Sequence, residues 1–414
     1  MKIEKIHARQ VLDSRGNPTI EAIMKTKNSL VSAIVPSGAS TGAHEALELR
    51  DNQKVYHGKS VTKAINNVNK KIYSLLKNKI ITNQKQVDEL LIKEDNTVNK
   101  SRFGANSILS VSMCTTRALS TENKIQLYKY IAKIFQTKKI ILPKVYANVI
   151  NGGVHAGNEL EIQEFMIVPT NAKTFSESIQ MVAETYQTLK EIIKNKYGKN
   201  AINVGDEGGF APPISTAEQA LDLLTLAIKQ AKYEGKLKIA IDAAASEFYN
   251  IKTKTYTKQK LTSKQLEEYY VKLIKKYPIV SLEDPFEQDD FQAWKSITNN
   301  KTIKQKKVQI VGDDLTVSNP ARVQFAIDNK LCNALLLKIN QIGTITEALL
   351  AAKTAMDAGW NVMVSHRSGE TEDTFIADLA VGLSCGQLKL GAPCRTERVA
   401  KYNQLLRIEE ELGK

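Results

Sequence analysis

At 414 residues the chain exceeds the about 250 to 300 at which a single hydrophobic core stops growing, which implies two domains or a large barrel with an appendage. Its formal charge of +14 comes from 58 Lys+Arg against 44 Asp+Glu. The lysines are dispersed, as in "KEIIKNKYGK" and "KYEGKLK", with no arginine block or aromatic ladder, so a nucleic-acid partner is not expected.

The first thirty residues break every apolar run with charge, so no signal peptide is expected there. No run approaches the about 18 to 20 apolar residues of a membrane span. Cys114, Cys332, Cys385 and Cys394 lack CxxC or metal-site spacing, which suits reduced thiols in a cytoplasmic compartment.

In chain order, "KIEKIHARQVLD", "PTIEAIMKT" and "SLVSAIVP" read as strands, with the turn "SRGNP" between the first two. Helical patterns follow, from "HEALELRD" through "VTKAINNVNKKIYSLLKNKI" to "GANSILSVSMCTTRALS". Between strand and helix, "VPSGASTGAHEA" carries Gly38, Gly42 and three hydroxyl residues, a loop suited to closing over a ligand. It fits neither a P-loop nor a dinucleotide fingerprint. The segment "QTKKIILPKV", with Pro143, is the expected boundary between an α+β unit at 1–132 and an αβ barrel at 140–414.

Beyond it, short aliphatic runs alternate with 3.6-period segments, the pattern of βα units. Successive runs end on ionisable residues: Asp242, Glu283, Asp313, Lys338, His366 with Arg367, and Lys389. Their spacings of 41, 30, 25, 29 (to Arg367) and 22 suit one helix, its loops and the next strand. In a (β/α) barrel such ends converge on one face, where active sites sit.

Three carboxylates so gathered repel by about 4 kcal/mol per pair at 4 Å and an effective dielectric near 20. An all-oxygen set without His or Cys suits Mg²⁺ rather than zinc. A lysine beside such a cation, here Lys338, is expected to have its pKa lowered toward the range of a general base. That pairing points to removal of a proton next to a carboxylate. Loss of a leaving group also needs an acid. In "VGDEGG", Glu207 meets that need if its surroundings raise its pKa. "NGGVHAGN" and "EIQEFMIVP" add His155, Gln163 and Glu164 as further candidates.

These segments, together with "SGASTG", "SLEDPF", "VGDDL", "LLLKINQIGT", "SHRSGETED" and "GAPCRTERVAKYNQLLRIEEELG", resemble the enolase family from end to end. The resemblance implies an α+β N-terminal domain and an αβ barrel that begins with an antiparallel strand pair. It implies reversible, Mg²⁺-dependent dehydration of 2-phosphoglycerate to phosphoenolpyruvate, with two Mg²⁺ per active site, in a cytoplasmic homodimer or higher homo-oligomer. Asp242, Glu283 and Asp313 then match ligands of the first Mg²⁺, and Ser40 matches the lid residue that reaches the second. Lys338 matches the base at carbon 2, and Glu207 the acid toward the leaving hydroxide. His155, Gln163, Glu164 and His366 match positions near the substrate, Arg367 and Ser368 a phosphate grip, and Lys389 a contact to the substrate carboxylate.

Leu390, Cys385 and Ser60 depart from the family pattern without removing a charged catalytic group. One rival is a related barrel enzyme acting on an unphosphorylated acid; the phosphate grip argues against it. Another is a binding protein on the same scaffold. Enolases also serve as surface receptors for plasminogen, and the terminal Lys414 suits such an added role at the cell surface or after secretion.

Overall fold

The computed structural model describes residues 1–39 and 41–413, which leaves the expected Ser40 and Lys414 outside the described residues. The chain opens on an antiparallel sheet of β1 (Ile3–Leu12), β2 (Pro18–Thr26) and β3 (Leu30–Ile34), in the order β1-β2-β3. Alternation builds it: Ile20, Ala22 and Met24 of β2 are buried on one face, where the helix Ala105–Glu122 covers the sheet.

Two parts of this unit depart from the sequence reading. "HEALELRD" is not helical, because its backbone bonds to other segments: Ala46 N donates to Gln341 O and Leu47 N to Asn99 O, both at 2.8 Å. Asp51 N likewise donates to Ser60 O at 2.8 Å. Helices at Gln84–Asp95 and Leu127–Phe135 also form where none was read. The segment "VTKAINNVNKKIYSLLKNKI" is helical over Thr62–Leu76, with a π segment at Asn67–Ile72.

After Phe135 the chain runs without regular structure until β4 (Lys144–Asn151). There follow β5 (Glu164–Pro169), β6 (Leu237–Asp242), a short hairpin of β7 (Tyr249–Asn250) and β8 (Thr255–Tyr256), and β9 (Ile279–Glu283). The last strands are β10 (Gln309–Gly312), β11 (Ala334–Leu337), β12 (Asn361–Ser365) and β13 (Gly386–Lys389). Eight strands close a barrel in the order β10-β11-β12-β13-β4-β5-β6-β9. Only β5 runs antiparallel to both neighbours; the other contacts are parallel.

Helices cover the outside, so strands such as ALLL of β11 are buried at every residue. Alternate residues, among them Tyr146, Met166, Ala240, Val311, Leu336 and Met363, form a separate cluster that fills the interior. Caps start the outer helices on time. Thr216 with Gln219 and Thr262 with Gln265 form capping boxes, and Thr344 accepts from Glu347 N.

The first unit is fixed to the barrel by Arg117, which donates from Nη1 and Nη2 to Asp373 at 2.7 Å each. Burial works to raise the Asp373 carboxyl, but the Arg117 guanidinium outweighs it and holds the pKa below 3.8. Asp373→Asn is expected to cost about 3 kcal/mol in urea unfolding, because Arg117 keeps a charge without its carboxylate. In the native protein this contribution is present above the unfolded carboxylate pKa and is lost as pH falls through the lower folded value. An unchanged acid limb in the variant would remove the pair from the stability account.

Among the described residues, no helix is long and apolar enough to cross a membrane.

Candidate active site

Asp242 and Glu283 end β6 and β9, Asp313 and Lys338 directly follow β10 and β11, His366 and Arg367 follow β12, and Lys389 ends β13. All lie at the C-terminal rim. Because β5 is reversed, its first residue, Glu164, lands at the same rim, in register with Asp242, which is in turn in register with Glu283. Three carboxylates thus stand side by side on adjacent strands.

Lys389 Nζ bridges that row, 2.7 Å from Asp242 Oδ2, 2.8 Å from Glu283 Oε1 and 3.2 Å from Glu164 Oε1. Burial opposes its charge, yet the three carboxylates outweigh burial and hold its pKa well above 10.5. Asp313 turns instead to Lys338 Nζ, with which it makes an ion pair, and to Gln341 Nε2 at 2.7 Å. Ser318 Oγ accepts from Lys338 N at 2.8 Å and fixes the backbone beneath that pair.

Burial pushes the Lys338 ammonium down, but Asp313 and its neighbours outweigh burial and leave the pKa above 10.5.

Glu207 enters the same cavity on the "VGDEGG" turn. Its backbone carbonyl accepts from Ala392 N at 2.9 Å, and Tyr186 Oη donates to Gly208 O at 2.7 Å. Two glycines are required by this packing. Gly208 has φ +82, and a Cβ at Gly209 would stand 2.3 Å from Asn151 Oδ1.

Asn148 Nδ2 donates to Glu207 Oε2 at 3.0 Å, His366 Nε2 lies 3.3 Å from the same oxygen, and His155 Nδ1 is 3.6 Å from Oε1. Arg398 Nη1 donates to His366 Nδ1 at 2.6 Å, and since a guanidinium only donates, the ring proton of the neutral His366 sits on Nε2, facing Glu207. Burial pushes His366 down to about 4, against the pull of Glu207.

The surroundings of Glu207 do not raise it. Burial would raise it, but His366, His155 and Arg398 together hold it well below 4.5. The raised carboxyl is Glu164, lifted well above 4.5 by burial and then by the charge of Glu207. One ligand atom from each of His155, Glu164 and Glu207 lies within 4.8 Å of the others. At this separation the charge of one carboxylate opposes ionisation of the other.

His155, Gln163, Glu164, Glu207, Lys338, His366, Arg367, Ser368 and Lys389 line one small, narrow cavity with Ser365. The sequence reading did not pick out Asn148, Gln341 or Arg398. Arg398 is fully buried and donates to Arg367 O and Ser368 O at 2.6 Å each as well as to His366. Its only sequence signal is a charge inside the amphipathic helix Thr396–Glu411.

Glu283 Oε2 is buried without a hydrogen-bond partner, its other oxygen is held by Lys389, and Asp242 stands in register on the next strand, so the oxygen ligands here are carboxylates. That set fits a hard divalent cation. A second acidic group, Asp284, Asp313 and Asp314, also gathers within 4.8 Å. Asp284 is engaged by Asp313 N at 2.8 Å and Asp314 N at 2.9 Å, and Asp314 is pushed up to about 8 by burial and then by Asp313.

The departures from the family pattern are accommodated locally. Leu390 is buried, with its N donating to Tyr146 O at 3.2 Å, Ser60 Oγ donates to Gln10 Oε1 at 3.0 Å, and Cys385 Sγ points to Gln387 O at 3.1 Å.

A parallel barrel with one reversed strand, a lysine at one strand end and carboxylates at three others defines a class: barrel lyases that remove a proton beside a carboxylate with help from a divalent cation. Residues 3–131 match the family model described as "Enolase, N-terminal domain", and residues 139–414 match "Enolase, C-terminal TIM barrel domain". Enolase 1 of Entamoeba histolytica (strain ATCC 30459 / HM-1:IMSS / ABRM) is 55% identical over 426 residues, covering 100% of this chain and 97% of the relative. The chain belongs to the enolase family, the Mg²⁺-using phosphopyruvate hydratases of glycolysis, which dehydrate 2-phosphoglycerate to phosphoenolpyruvate.

Proposed function

We propose that in this dehydration Lys338 takes the proton from carbon 2 and Glu207 gives a proton to the hydroxide leaving carbon 3. The observation that carries the reading is their placement: both line one small cavity, Lys338 after β11 and Glu207 on the turn anchored to Ala392. Asp242, Glu283 and Asp313 would hold Mg²⁺, with Ser40 completing a second site. Bound Mg²⁺ supplies positive charge where the reaction builds negative charge. With Asp313 engaged in that way, Lys338 loses the partner that keeps it protonated and becomes available as a base. Glu207 would take up its proton from the side of Glu164, and His366 Nε2, its ring oriented by Arg398, lies 3.3 Å from Glu207 Oε2. Arg367 and Ser368 grip the phosphate, Lys389 faces the substrate carboxylate, and His155 and Gln163 shape the near wall.

The same reading includes two Mg²⁺ per site, a homodimer or higher homo-oligomer, a cytoplasmic location, and plasminogen binding through Lys414 as an added role. It divides the chain at 1–132 and 140–414, supported by the family matches at 3–131 and 139–414.

Phosphoenolpyruvate absorbance is expected to appear from 2-phosphoglycerate with Mg²⁺ and to stop with EDTA, returning when Mg²⁺ is restored in excess. Turnover that persists in EDTA would remove the carboxylate set from the mechanism.

A further inference from the structure

Glu45 follows the loop "SGASTG" and belongs to the segment whose backbone bonds hold it out of a helix. Its carboxylate crosses to the barrel. Arg367 donates from Nη1 to Glu45 Oε2 and from Nη2 to Glu45 Oε1, each at 3.1 Å, and from Nη1 to Asn340 Oδ1 at 3.1 Å. The pair is well enclosed, with side-chain exposures of 2% for Arg367 and 10% for Glu45.

The same carboxylate also reads the loop. Gly42 N donates to Glu45 Oε1 at 3.1 Å, and Gln341 Nε2 reaches Oε1 at 3.4 Å and Asp313 Oδ1 at 2.7 Å. Independent bonds seat the loop on the stretch that carries Arg367. Ala39 N donates to Ser368 Oγ at 2.7 Å, and Ser37 and Gly369 exchange backbone bonds at 2.8 Å.

A planar guanidinium recognises phosphate through paired N–H groups in a fixed fork, and its long side chain has rotamer entropy to lose on being held. A side chain already clamped loses less of it on binding. We propose that Glu45 is a positioning residue, which sets the plane of Arg367 for the phosphate of the substrate and ties that setting to the seated position of loop residues 37–39 and 41–43. This rests on the reading of Arg367 as the phosphate grip.

Two other roles are separable from it. A purely structural strap between loop and barrel would alter stability without altering affinity. A carboxylate that competes with phosphate for Arg367 would weaken binding, so its removal would tighten it.

The test measures calorimetric Kd for 2-phosphoglycerate in Mg²⁺, with KM and kcat, for the native protein, Glu45→Gln and Glu45→Asp. Glu45→Gln keeps the shape and removes the charge. The expected result is a rise in Kd and KM of about tenfold with kcat within about threefold, accompanied by faster amide exchange at residues 37–39 and 41–43. Glu45→Asp, which restores the charge on a shorter arm, is expected to fall between Gln and native. An unchanged or tighter Kd in Glu45→Gln overturns the proposal, whatever happens to the melting temperature. Native protein that binds 2-phosphoglycerate without turning it over removes the functional reading, while the Kd ratio still decides the role of Glu45. Native protein that does neither removes both.

Discussion

Lys338→Ala is expected to abolish exchange of the carbon-2 proton of 2-phosphoglycerate with solvent deuterium, lowering the rate by about 10⁴-fold, the upper end for loss of a general base. The side chain sits at the end of β11, its backbone N held by Ser318 and its ammonium by Asp313. No other lysine among the cavity residues is placed to substitute. Lys389, the other lysine of the cavity, ends β13 beside Glu164 Oε1 at 3.2 Å, and the same reading assigns it to the substrate carboxylate. The variant retains the bond from Gln341 to Asp313, so the carboxylate is not left bare and the fold is expected to survive. Deuterium incorporation followed by proton NMR reads the step directly. Exchange at more than a tenth of the native rate would mean that another group is the base.

Glu207→Gln should separate the two halves of the reaction. The amide keeps the shape of the carboxyl but has no acidic proton to give, so net dehydration is expected to fall about 10³-fold while carbon-2 exchange persists within a few-fold. The persistence follows from position: Glu207 contacts Asn148, His366 and His155, and none of these touches the Lys338–Asp313 pair. The variant also removes the negative charge that, after burial, helps to raise Glu164. Loss of exchange and dehydration by the same factor would show that acid and base have been wrongly divided.

Much of this site could be read before any coordinates. Aliphatic runs ending on Asp242, Glu283, Asp313, Lys338, Arg367 and Lys389 are local features, set by burial of the strand and exposure of its end, and the barrel brings them to one rim. The early strands were legible because alternation in β1 and β2 is a property of consecutive residues. "HEALELRD" misled for a matching reason: it has a helix former's composition, but its amide groups are taken by Gln341, Asn99 and Ser60, far away in sequence.

The sequence by itself determined which ionisable residues end the strands, and so the metal-assisted chemistry open to them. Only the tertiary structure decided how their charges are shared. Reversal of β5 sets Glu164 beside Asp242, and packing sets Asp313 against Lys338 and His366 against Glu207. Those contacts hold the pKa of Lys338 up and that of Glu207 down. The physical reason is that a buried group's proton affinity depends on the few charges within several ångströms of it. Which charges those are follows from strand direction and side-chain packing, not from neighbours along the chain.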